Sequence, residues 1–201
     1  TSVSGLTMAE ANFGTGGRIE ITGQEVEVAG PAEISVDGGE QGGSLRIGGE
    51  FQGRDDLGLR EADLTTIGRE VLLTADSRFG DAGSVIVWAN QDTMYLGEAS
   101  ASALGLVGNG GLIEISGLER LAMRGDVAAS SVGGEGGTVL FDPGSLTVGF
   151  FNGASTNFNE IEIADINKIL QGGTSVILAT SGLGSSVLFA DVELAGSDYG
   201  G

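Results

Sequence analysis

The sequence contains no cysteine, no histidine and only 2 prolines, and its 9 Lys and Arg face 28 Asp and Glu, for a formal net charge of −19. Without cysteine there is no disulfide framework and no thiolate metal site, a condition compatible with export through a pore that needs an unfolded chain. The shortage of Lys and Arg excludes nucleic acid and anionic membrane as partners, because both need cations to neutralise phosphate. No apolar run reaches the ~18 residues of a membrane-spanning helix, and no signal-peptide pattern opens the chain. Disorder is excluded too, because 40% of the residues are apolar.

Glycine is abundant instead, with 38 in 201 residues. It follows no three-residue period, which excludes collagen, so the glycines mark corners in a folded chain. The acidic surface keeps a glycine-rich β structure soluble and discourages pairing between strand edges.

A repeat gives the architecture. Residues 17–23 read Gly-Arg-Ile-Glu-Ile-Thr-Gly and residues 111–117 read Gly-Leu-Ile-Glu-Ile-Ser-Gly. Each opens a unit of 26 residues, 18–43 and 112–137, that closes on a glycine pair. Within the first unit, residues 18–22, 25–28 and 33–36 each alternate polar and apolar, and turns follow at Gly23, at Gly30 with Pro31, and at Asp37 to Gly39. Alternation with period two means half-buried strands. Ile19, Ile21, Val26, Val28, Ile34 and Val36 then face inward, and Glu20, Glu25, Glu27 and Glu33 face out. Similar strands follow at 44–47, 70–73, 84–87, 93–96, 121–123, 138–141, 145–148, 175–178, 186–189 and 191–194. The expected fold is all-β: a right-handed parallel β-helix of about six triangular coils of roughly 26 residues. At a strand spacing of ~4.8 Å the stack is roughly 30 Å long.

Two stretches break the period. The 40 residues from Gly43 to Gly83 contain a charged insertion near 51–62, and the 36 from Gly137 to Gly173 contain another near 150–171. The second carries the helical spacing of Asp165 to Leu170, with Asp165 as N-cap and Phe150, Phe151 and Phe158 as anchors to the rod. The chain is expected to form one unit over residues 1–201, a segment of a longer protein.

Several phrases carry a family resemblance. They are residues 45–49 with 51–53, residues 82–89 (Ala-Gly-Ser-Val-Ile-Val-Trp-Ala), residues 110–117, residues 136–143 (Gly-Gly-Thr-Val-Leu-Phe-Asp-Pro), residues 166–174 and residues 176–180. In order and spacing the chain resembles the shaft region of filamentous-haemagglutinin-like exoproteins of the two-partner secretion type. The likeness covers about two thirds of the chain or more. It implies a secreted, cell-surface location and an outer-membrane secretion partner. It also implies a supporting role in adhesion to glycans or cell surfaces. The family's secretion domain and any toxin or receptor-binding tip are not recognisable in this sequence. A structural matrix or filament protein that self-associates is the alternative. A polysaccharide-active β-helix enzyme is the third reading.

Site residues follow from the insertions, which in solenoids often carry the binding surface. Arg54, Asp55, Asp56 and Arg60 form the exposed candidate contact, and with Glu61 they are the only candidates for carboxylate catalysis. Without histidine or a carboxylate ladder, the expectation is a non-catalytic protein. Trp88 follows inward Val85 and Val87, so alternation turns it outward. There it either stacks on a sugar or packs under the first insertion near Phe51, and packing is the preferred reading. Asp37, Glu40, Asp76, Asp81 and Asp126 lie near turns, but the Gly-Gly-x-Gly-x-Asp calcium pattern is missing, so neither metal nor cofactor is expected.

Overall fold

The structure is a computed structural model. It describes residues 1–151 and 157–180, and the backbone of 185–189. The sequence-predicted strand at 191–194 lies outside the described residues.

Among the described residues, alternating segments separated by glycine corners give seventeen strands, one α-helix and one 3-10 turn at Phe51–Gly53. The chain opens with β1 (Ser2–Met8), β2 (Arg18–Ile21) and β3 (Glu25–Ser35). It continues through β4 (Ser44–Ile47), β5 (Leu64–Ile67) and β6 (Val71–Thr74), then β7 (Ser84–Ala89), β8 (Asp92–Tyr95) and β9 (Glu98–Ser100). A further pass gives β10 (Leu112–Gly117), β11 (Arg120–Met123) and β12 (Asp126–Ala128). The last described part is β13 (Thr138–Phe141), β14 (Thr147–Gly149), β15 (Glu160–Glu162), α1 (Ile163–Gln171), β16 (Ser175–Thr180) and β17 (Ser185–Phe189).

Parallel pairing dominates. The front sheet has the order β17-β16-β13-β10-β7-β4-β2, and every pair in it is parallel except β16 with β17. A second sheet has the order β11-β8-β5-β3-β6-β9-β12, with β1 beside β3. In it β3 serves two ladders: Glu25 to Val28 pair with β5, and Ala32 to Ser35 pair with β6. β3 therefore crosses the Gly30–Pro31 corner as one strand rather than the two that alternation alone indicates. β14 and β15 form a separate parallel pair.

Register stacks like on like. Ile19, Leu45, Val85, Ile113, Val139 and Val176 are successive partners in the front sheet. Val28, Ile67, Tyr95 and Met123 follow one another in the second ladder, and Ile34, Leu73, Ala99 and Val127 in the third. From Leu45 onward these side chains are buried in one continuous apolar core. Thr65 and Thr93 occupy inward positions of the second ladder, and each hydroxyl donates at 2.7 Å to a front-sheet carbonyl, Thr65 to Trp88 and Thr93 to Ser116. That bond offsets the cost of placing a hydroxyl in the core.

The second insertion closes one ladder. α1 packs against β12, β15 and β16 and buries Ile166 and Ile169. Lys168 reaches back to Asp126 of β12 at 2.5 Å. Glu162, not Asp165, holds the N-cap position, and Asp165 lies in the first turn, where a carboxylate faces the partial positive charge of the helix N-terminus. Phe150 is exposed rather than an anchor, whereas the Phe158 ring lies under the Arg120 guanidinium at 4.6 Å. The sequence-predicted strand at 186–189 forms as β17 but runs antiparallel to β16. Only an antiparallel partner can follow a connection this short, because a parallel one needs a long crossover.

Candidate functional site

The first insertion occupies residues 48–63, between β4 and β5, where β7 reaches β8 through Asn90 and Gln91 alone. It folds down over the outer surface of the front sheet. Alternation sends Ile86, Trp88, Glu114, Ser116, Leu140 and Asp142 away from the core, yet none of the six is more than 4% exposed. The insertion is thus a strap over a second, smaller buried layer.

Two glycines seat the strap on Trp88. A Cβ at Gly49 would lie 2.6 Å from Cδ1 of the indole, and one at Gly53 would lie 2.5 Å from Cζ2. Gly53 also has φ +60°, which side-chain-bearing residues rarely adopt. The indole Nε1 donates to Asn90 Oδ1 at 3.3 Å. Trp88 points outward as alternation requires, but at 2% exposure it offers no face to a sugar. Packing under the insertion, beside Phe51 to Gly53, is what the structure contains.

Beyond Trp88 lies a pair of buried carboxylates. Gln52, held at φ 55°, donates its backbone N–H to Glu114 Oε2 at 2.9 Å and its side-chain amide to Asp142 Oδ2 at 3.4 Å. The Asp142 N–H donates to Ser116 Oγ at 3.1 Å. The other carboxylate oxygens, Glu114 Oε1 and Asp142 Oδ1, are buried without a hydrogen-bond partner among the described residues. Burial pushes the Glu114 carboxyl up to about 8. The Gln52 N–H and the Ser116 hydroxyl pull the other way, the Asp142 charge adds to the rise, and Arg54 opposes it. At neutral pH Glu114 therefore holds a proton. Nearer the strap's base, buried Glu50 accepts from the N–H groups of Leu57 at 2.8 Å and Leu59 at 3.3 Å, closing the loop on itself. Burial also raises the Glu61 carboxyl, against a hydrogen bond from Asn90 and with the help of the Glu50 and Asp55 charges.

The residues singled out in the sequence are divided by this arrangement. Arg54, Asp55, Asp56 and Arg60 are exposed on the strap, while Trp88 is sealed beneath it. Arg54 stacks over the Phe51 ring at 5.4 Å and reaches Gln52 Oε1 at 3.4 Å. The Asp55, Asp56 and Arg60 side chains make no hydrogen bond or ion pair among the described residues. The five do not converge on one open cleft. Glu50, Glu114 and Asp142 were not singled out by sequence reasoning. The available signal was the insertion itself, long enough to cover outward positions of the next passes.

The turn acids bind backbone. Asp37 Oδ1 accepts the Asp76 N–H at 2.7 Å, and Asp76 Oδ1 accepts the Ser102 N–H at 2.7 Å and the Ser100 hydroxyl at 2.6 Å. Asp81 accepts the Asn109 N–H at 2.7 Å. Each such bond ties one pass to the next. Among the described residues no group of three or more Asp or Glu is placed to hold a metal ion. A shallow depression of about 590 Å³ lies along the glycine corner at Gly17, Gly43 and Gly83, and no carboxylate lines it. Among the described residues no helix is long and apolar enough to cross a membrane.

Compared with known proteins, the sequence matches no protein-family model and no curated protein.

Proposed function

We propose that this chain is a segment of a right-handed parallel β-helix of about six triangular coils that serves as the shaft of a secreted bacterial surface protein of the filamentous-haemagglutinin-like type. Its work is mechanical and non-catalytic. It projects or supports cell-surface adhesion carried out elsewhere in the molecule. The observation that carries the reading is the in-register stacking of chemically like residues through successive parallel passes. Such a stack distributes load over every backbone ladder and leaves each pass dependent on its neighbours. The strap fits the same role, because its anchor residues are spent on covering the front sheet and its charged residues face water without forming a cleft.

The experiment is retention of the purified chain on a panel of polysaccharides and cell surfaces. Beside it runs a variant in which Asp55, Asp56 and Arg60 are changed to serine and the anchoring segment from Glu50 to Gly53 is kept. A shaft predicts no saturable binding by either protein. Saturable binding lost in the variant would make the strap a recognition site. Release of a sugar product would overturn the non-catalytic reading.

A further inference from the structure

One corner of the molecule collects apolar side chains in the open. Phe13, Phe79, Leu104, Leu106, Val107 and Val132 are between 56% and 86% exposed. They belong to turns that lead from the third ladder back to the front sheet. Those turns are themselves in register, because Ala11, Gly38, Ser77, Ala103 and Ser131 form a continuous run of parallel bridges. The six side chains therefore lie along one edge of the stack rather than scattered over it.

Folding does not require them. The turn through Gly38 carries Gly39, Glu40 and Gln41 in place of large apolar residues, yet it joins the same bridges and the same backbone bonds, such as Gly39 N–H to Ala11 and Phe79 N–H to Gly39. Apolar side chains that face water and serve no turn mark an interaction surface when they are contiguous and rimmed by polar groups. The rim here is acidic. Glu40, Asp81 and Glu135 are exposed on these turns, against the single base Arg78. A depression of about 440 Å³ lies between Glu40, Asp81 and Val107, so negative charge and apolar surface meet in one hollow.

We infer that this corner is a docking surface for a cationic amphipathic polypeptide segment. Its apolar side chains would lie along Phe79, Leu106 and Val107, and a Lys or Arg would enter the hollow beside Glu40 and Asp81. Charge decides between occupants. A second copy of this chain would bring the same acids and a net charge of −19 against them, and like charges across an interface oppose association. An anionic membrane is disfavoured for the same reason. The inference does not depend on the shaft reading.

The test uses the full chain and a fluorescent twelve-residue peptide of alternating lysine and leucine, with binding read by anisotropy. Two controls of equal length replace leucine by serine or lysine by glutamate. The variants are L106S with V107S, and E40Q with D81N. The surface predicts that the lysine–leucine peptide binds, that each variant pair weakens it at least about tenfold, and that both controls bind at least about tenfold more weakly. Equal binding by both variant pairs overturns it, as does a lysine–serine peptide that binds as tightly, which would be general attraction to an acidic chain. Failure of the lysine–leucine peptide to bind also overturns it. So does a dimer in sedimentation that the serine pair dissociates, which would assign the corner to a second copy. Should the serine pair lower the melting temperature, the Glu40 and Asp81 pair decides, since both side chains are at the surface and D81N keeps an acceptor oxygen for the Asn109 N–H.

Discussion

Raising the pH from 5 to 8 is expected to loosen the strap, because Glu114 is buried in its protonated form. Its carboxyl lies at about 8 in the folded chain, against an ordinary 4.5 when exposed. Between those values the folded state keeps a proton that the unfolded chain has released. Stability then falls as pH rises, by about 1.4 kcal/mol per pH unit for one group. Over the whole interval the loss is about 4–5 kcal/mol: the contribution of the retained proton is present in full below pH 4.5 and gone above pH 8. Asp76 and Asp165 are raised by burial as well, so they act in the same direction at the acid end. The groups facing Glu114 are Asp142, whose charge opposes its ionisation, and Arg54, Gln52 and Ser116, which favour it. Lifting of the strap alone would hydrate ionised Glu114, so the strap is expected to give way before the core. Trp88 is the only tryptophan and lies directly under the strap, so its emission reports the event without a label. The assay is urea denaturation followed by Trp88 fluorescence at pH 5, 6, 7 and 8. The wild type is expected to lose midpoint steadily and to show redder native emission at pH 8. Glu114→Gln keeps an acceptor for the Gln52 N–H and cannot ionise. It should flatten the profile and exceed the wild type at pH 8. A wild-type midpoint that rises from pH 5 to pH 8, or an equal slope in E114Q, would refute the reasoning.

Other expectations follow from single contacts. Gly49→Ala puts a methyl 2.6 Å from the indole and should cost about 1–3 kcal/mol, measured by urea denaturation, with Trp88 emission shifted to the red. Tyr95→Phe removes a hydroxyl that is fully buried and has no hydrogen-bond partner among the described residues. Its stability should be unchanged or higher by about 1 kcal/mol, and a loss greater than that would mean the hydroxyl is satisfied. Thr93→Val leaves the Ser116 carbonyl without its 2.7 Å donor and should cost about 1–2 kcal/mol in the same assay, whereas Thr66→Val, one register position from buried Thr65, should cost under about 0.5 kcal/mol.

The strands of the front sheet were the most legible part of the chain. β2, β4, β10 and β13 each follow a glycine pair, and Arg18 to Ile21 alternates cleanly, so face and register there follow from spacing and periodicity. Short strands such as β9 and β12 span three residues each, too few to show a period. The direction of β17 depends on the shortness of the link from β16 and not on its own composition. The candidate site was legible only in outline. Alternation turned Trp88 outward, as the structure has it, but exposure is a tertiary property. Glu20 and Glu114 stand in the same phrase of the repeat, and only Glu114 lies beneath the strap. The charged stretch from Arg54 to Arg60 drew notice for its residue types. Its structural weight rests instead on Gly49, Glu50, Gln52 and Gly53, which ordinary composition does not distinguish from any polar turn.

The central claim, a proposed rod built from parallel passes stacked in register, can be measured directly because the chain has no cysteine of its own. Leu6, Glu33, Leu72, Glu98 and Asp126 are successive register partners on the third ladder. Paired substitutions Leu6→Cys with Leu72→Cys, Leu6→Cys with Glu98→Cys, and Leu6→Cys with Asp126→Cys provide unique sites for spin labels. Electron–electron distances in solution should grow by ~4.8 Å from each pair to the next, with narrow distributions. Distances that do not step in this way, or that spread broadly for the longest pair, would contradict the stacked rod.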